Sequence, residues 1–167
     1  MFSLLYKSSI LFVCLVFLGF INLAFAAILS TNMLVSVRVM PSCSITTTPL
    51  VFGLYTPYAS ISTKSNAWLR ILCTLNTPYN IALDQGMGNS ATTRLRVMSG
   101  PGRETIQYTL SQNPTHTINW GNTVGIDTAL ENGTGIPQYL IVYGEIPAKQ
   151  NVSIGAYKDV VNVSIIF

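Results

Sequence analysis

Residues 157–167 read Tyr-Lys-Asp-Val-Val-Asn-Val-Ser-Ile-Ile-Phe. Tyr157, Asp159, Val161, Val163, Ile165 and Phe167 alternate with Lys158, Asn162 and Ser164. A period of two sends one set of side chains inward and the other outward, so this stretch predicts a single long strand. The same reading extends upstream. Gln138–Ile146 (Gln-Tyr-Leu-Ile-Val-Tyr-Gly-Glu-Ile) predicts another strand, and further short ones are expected at 50–55, 68–75, 79–83, 93–98 and 105–110. Turn chemistry separates them: Thr77-Pro78, Gln85-Gly86, Ser99-Gly100-Pro101-Gly102, Asn113-Pro114, Trp120-Gly121-Asn122 and Asn132-Gly133. No segment of 27–167 carries a convincing helical period. Short strands at this spacing predict an antiparallel β-sandwich.

A second alternating stretch lies near the other end. Met33, Val35, Val37 and Val39 alternate with positions that include Ser36 and Arg38. A strand so placed is free to be laid into another molecule, whereas the 157–167 strand ends on its last apolar residue with nothing after it to cover the edge. An uncovered edge is an aggregation hazard unless something pairs with it. The two ends therefore read as donor and acceptor.

Composition sets the compartment. The chain has 167 residues, 49% hydrophobic and only 9% charged, against roughly a quarter charged in ordinary soluble proteins. Nine Lys and Arg against six Asp and Glu leave a net charge of +3, too weak and scattered for a nucleic-acid binder. Lys7, the apolar run Ile10–Ile21 and Ala24-Phe25-Ala26 form a secretory signal peptide over residues 1–26, too short in its apolar part to span a bilayer. Removing it takes away Cys14 and leaves Cys43 and Cys73. Two thiols in an oxidising compartment are expected to pair, and closing that loop stabilises a fold by about 3.5 kcal/mol in the chain-entropy view.

The remaining conspicuous residues favour structural roles. His116, the single histidine, lies in a polar loop with no partner nucleophile and reads as a solvated loop residue. Asp84, Asp127 and Glu131 match no calcium-loop or paired-carboxylate spacing and read as turn and surface groups. The glycine pairs at 86–88 and 100–102 open no helix, so they are turns and not phosphate cradles. Trp68, Trp120 and Tyr143 are either a sugar-binding platform or, more in keeping with a sandwich, packing aromatics. Catalytic residues, a metal and a cofactor are not expected.

The order of these pieces resembles the spore coat protein U-like domain family, the pilin subunits of archaic chaperone–usher pili. The resemblance rests on Val35-Ser36-Val37 leading to Cys43, Leu50-Val51-Phe52-Gly53-Leu54-Tyr55, Cys73-Thr74 with Pro78–Leu83, Arg96-Val97-Met98, Tyr108-Thr109-Leu110, Trp120-Gly121-Asn122, Leu140–Pro147 and the closing Gly155–Val163. Ser153 departs from it, since the family commonly has proline there.

The resemblance implies an incomplete immunoglobulin-like sandwich completed by a donated strand, with residues 27–40 as donor segment and 41–167 as pilin domain. Met33, Val35, Val37 and Val39 would fill a groove of the neighbouring subunit. Tyr157, Val161, Val163, Ile165 and Phe167 would form that acceptor groove and the chaperone-binding edge. Burying four such apolar side chains contributes roughly 6–12 kcal/mol before ordering costs. The implied partners are a periplasmic chaperone, an outer-membrane usher and neighbouring pilin subunits, on a surface pilus serving adhesion and biofilm formation. The competing expectation is a secreted, non-polymerising β-sandwich that binds carbohydrate or a surface.

Overall fold

The computed structural model describes residues 26–167; the expected leader, save Ala26, lies outside the described residues. Residues 26–38 belong to one unit and Val39–Phe167 to a second, compact one. The stretch 26–38 carries no regular secondary structure, and each of its side chains is exposed.

The compact unit is all-β, with two antiparallel sheets. Its strands are β1 (Cys43–Thr47), β2 (Thr63–Cys73), β3 (Pro78–Leu83), β4 (Arg96–Ser99), β5 (Thr105–Ser111), β6 (Ala129–Asn132), β7 (Gln138–Ile146) and β8 (Val163–Ile166). One sheet runs β1-β2-β7-β5-β4 and the other β6-β3-β8. The longest ladder pairs Thr63 with Ile146 through to Ile71 with Gln138. Inward positions along β2 (Leu69, Ile71, Cys73) meet Tyr79, Ile81 and Leu83 of β3 in one core. Trp120 is buried there too, its indole N–H donating to the Ile81 carbonyl at 2.9 Å. Cys43 and Cys73 are bonded directly across the β1–β2 ladder.

Two sequence expectations need correction. The 157–167 stretch is not one long strand. Lys158 exchanges both main-chain bonds with Ser99, the last residue of β4, and only Val163–Ile166 joins β3 in the opposite sheet. The change of sheet falls at two carboxylates. Asp159 accepts from Met87 N–H, Val160 N–H and the Tyr108 hydroxyl, and Asp84 accepts from both Asn162 nitrogens. These side-chain bonds outcompete a continuous ladder, although the alternation of half-buried and exposed residues survives them from Tyr157 to Ile166. Residues 50–55, expected as a strand, have no ladder partner at all.

Candidate functional site

An apolar groove of about 1030 Å³ opens along the flank of the compact unit. Its floor is Leu69, Ile106, Tyr108, Leu110, Val142 and Ile146, drawn from β2, β5 and β7. Residues 47–55 form one wall and 152–163 the other.

The first wall begins where β1 loses its partner. Thr48 N–H makes a bond to Trp68 C=O, and Pro49 then has no N–H to continue the ladder. Among the described residues, 50–55 make no main-chain bond to another main chain. Side chains hold the wall instead. Leu50 and Phe52 lean over Gly144 of β7, where a Cβ would come within 2.8 Å of the Phe52 ring and 2.9 Å of Leu50. Gly53 takes φ +76° in open space, a left-handed kink that suits glycine. It shifts the alternation by one residue, so Tyr55 turns inward while Leu54 is 96% exposed. The Tyr55 hydroxyl donates to Pro147 C=O and accepts from Gln150 N–H.

The second wall has a free lateral edge. Asp84 N–H donates to Asn162 C=O, whereas Leu83 N–H turns away to Gly121 C=O. Leu83 is the ladder partner of Val163. Antiparallel pairs alternate between bonded and non-bonded, so the main-chain groups of Val163 also point off β3, toward the unpaired side. By the same alternation Val161 sends its groups that way. The far end of the wall is held by Glu104, whose carboxylate accepts from Ser153 N–H, the Ser153 hydroxyl and the Tyr157 hydroxyl. Those three donors hold the Glu104 carboxyl below its usual range. Ser153 thus supplies a main-chain donor that a proline at this position would lack.

Beneath the groove sits a polar cluster around Arg96. Its guanidinium is fully buried and donates to the carbonyls of Asp84, Thr93, Leu83 and Trp120 at 2.7–3.0 Å. Burial lowers the Arg96 pKa from its ordinary value, opposed by Tyr108 and the carboxylates of Asp84, Asp159 and Asp127. Tyr108 donates to Asp159 at 2.7 Å, and burial together with that bond pushes its hydroxyl strongly up. Burial also raises the Asp84 carboxyl, but bonds from Gly86 and Asn162 and the charge of Arg96 outweigh it, so the net shift is downward. Among the described residues no three His, Cys, Asp or Glu side chains gather as metal ligands do.

Of the five residues expected to form an acceptor groove, Tyr157, Val161 and Val163 lie in the lining of the apolar groove described above. Ile165 packs against the core, and Phe167 is 56% exposed and outside the lining. At that end β1 draws close to β8. Met33, Val35, Val37 and Val39 are exposed and belong to no strand. Leu50, Phe52 and Tyr55 are the wall residues that sequence reasoning placed in a sheet; Pro49 and Gly53 were the available signal. His116 is not solvated: its side chain is 7% exposed, packed edge-on against Tyr143, with Nδ1 3.8 Å from Glu145.

A family model described as "Spore Coat Protein U domain" matches residues 29–164. The chain belongs to that family. Among curated relatives, this Spore Coat Protein U domain is 34% identical over 128 residues to Protein U of Myxococcus xanthus, covering 71% of each chain. Among solved structures it is similar to a chaperone–tip adhesion subunit pre-assembly complex (CsuC–CsuE) from archaic chaperone–usher Csu pili of Acinetobacter baumannii. That match has TM-score 0.56 and 22% identity, covering 77% of this chain and 40% of that one. The likeness carries the immunoglobulin-like sandwich; the pattern of pairing and the groove belong to this chain's own residues.

Proposed function

We propose that the chain is a structural pilus subunit, assembled by donor-strand exchange along a chaperone–usher route and displayed at the cell surface in adhesion and biofilm formation. One observation carries this reading: an apolar groove bounded by two extended segments, 50–55 and 157–163, whose facing main-chain groups lack ladder partners. A β-strand is the ligand that satisfies both walls, with main-chain bonds for affinity and alternate side chains in pockets for register. The wall from Tyr157 to Val163 is seven residues long, and so is the alternating stretch Met33–Val39. Residues 29–39 of one subunit therefore fill the groove of the next, with Met33, Val35, Val37 and Val39 inward. Before assembly a periplasmic chaperone covers the same groove, and an outer-membrane usher exchanges it. A head-to-tail contact of this kind propagates as a fibre instead of closing.

The test is assembly. A chain lacking residues 27–39 should bind a synthetic peptide covering 27–40, gain thermal stability from it and fail to polymerise alone. Val35→Asp places an unpaired carboxylate in an apolar pocket, a cost of several kcal/mol, and should abolish fibres, whereas Ser36→Asp should not. Fibres from the deleted chain, or Val35→Asp fibres at wild-type abundance, would refute the reading.

A further inference from the structure

The outer face of the five-stranded sheet, away from the groove, carries a feature that strand exchange does not use. Trp68 is 47% exposed and Tyr139 58% exposed, though both are paired within the longest ladder. Trp68 is paired with Ile141 and Arg70 with Tyr139. Tyr139, Ile141 and Tyr143 therefore follow one another along one face of β7, about 6.8 Å apart, with Trp68 on β2 beside the middle position. Antiparallel neighbours of this kind stand about 5 Å apart. The result is a shallow aromatic strip on a rigid sheet. Sequence reasoning separated Trp68, Trp120 and Tyr143 as candidate sugar-stacking residues; the structure sends Trp120 to the core and groups Trp68 and Tyr143 with Tyr139.

The charges on this face are unequal. Glu145 is engaged by Lys64 at 3.8 Å and faces His116 at the same distance. Arg70, exposed next to Tyr139 and Trp68, has no carboxylate within ion-pairing distance among the described residues. Its planar guanidinium suits bidentate binding of a carboxylate, while exposed aromatic faces offer flat apolar surface with polar edges. A sugar ring with a carboxylate substituent meets both demands.

We propose that this face is a binding site for an acidic, uronic-acid-containing polysaccharide, with Trp68 and Tyr139 stacking on sugar rings and Arg70 holding a carboxylate. Its extended, shallow form suits a polymer over a free monosaccharide. On a fibre the site repeats with every subunit, so weak contacts multiply into avidity. The binding itself does not depend on fibre formation and is measurable on an unassembled subunit.

The experiment titrates the mature chain, with its groove filled by the 27–40 peptide, against polygalacturonate and against neutral dextran by isothermal calorimetry, which reads every variant alike, at low and at physiological salt. Polygalacturonate should bind at physiological salt and dextran at least tenfold more weakly. Trp68→Ala and Tyr139→Ser should each weaken polygalacturonate binding tenfold or more, and Arg70→Gln should erase the preference over dextran. Thermal melts with the peptide report whether each variant is folded and its groove intact, which separates failure here from failure of the pilin reading. Absence of polygalacturonate binding, or binding that vanishes at physiological salt, would overturn the proposal. So would binding that folded Trp68→Ala and Tyr139→Ser retain, since that marks simple charge attraction.

Discussion

Residues 43–48 and 50–55 lie end to end, and the fold treats them in opposite ways. The first stretch is Cys-Ser-Ile-Thr-Thr-Thr, the second Leu-Val-Phe-Gly-Leu-Tyr. By intrinsic preference the second is the better strand. Yet 43–47 form β1, registered against β2 and bonded to it at Cys43, while 50–55 have no ladder at all. What separates them is the partner. β2 offers its edge as far as Trp68, whose carbonyl takes the Thr48 N–H; beyond Pro49 the chain leaves that edge, and side chains alone hold it over Gly144. Strand propensity here marks a segment ready to pair, and an open groove lies where the pairing is missing.

The contrast is sharpest in amide hydrogen exchange. Amides of 44–48 that bond into the β1–β2 ladder should exchange only through large-scale opening, and those of 50–55 at close to unprotected rates. The expected ratio is about a thousandfold or more. Adding the 27–40 peptide should protect 50–55 and leave 44–48 unchanged. Equal protection of the two stretches without peptide would contradict the difference drawn between them.

Cys43→Ser should come next in size. Losing the bridge costs roughly 2–5 kcal/mol in a small exported domain, visible as a lower denaturation midpoint. Phe52→Ala should cost less in overall stability, about 1–3 kcal/mol, because the ring is only half-buried and meets Tyr108 edge-on at 6.1 Å. Its effect on peptide binding should nevertheless exceed that of Cys43→Ser, since Phe52 shapes the wall and the disulfide does not line the groove. If the two variants rank alike in both assays, the walls are not independent of the locked seam.

The sequence made the sandwich legible because alternation reports burial whether or not a ladder forms. Gln138–Ile146 matches β7 end to end, and the inward set Tyr157, Val161, Val163 and Ile165 holds although the strand is split. β1 and β6 were missed. They are short edge strands with half-buried inward residues, so little apolar contrast marks them. Arg96 could not be read as core, because its four carbonyl partners come from Leu83, Asp84, Thr93 and Trp120 and are assembled only by the fold. His116 failed for the same reason: a polar loop sequence gives no sign that the loop folds back against Tyr143 and Glu145.

The smallest effect expected is on the far end of the second wall. Three donors from Ser153 and Tyr157 hold the Glu104 carboxyl below its usual range in the folded chain, while in the unfolded chain it titrates near its ordinary value. A carboxyl whose folded pKa is depressed adds stability above the unfolded pKa. That stability is lost as pH falls through the folded pKa. Asp84 is shifted in the same direction by Gly86 and Asn162, so the wild-type chain should lose thermal stability progressively below about pH 5. Glu104→Gln keeps an acceptor but no titrating group, and its melting temperature should fall less steeply over that range, with Asp84 accounting for the remaining slope. Because the carboxylate is exposed, the difference should be modest and should shrink in high salt. Superimposed pH profiles for the two proteins would mean that the 152–157 wall is held by its packing, and that Glu104 merely decorates it.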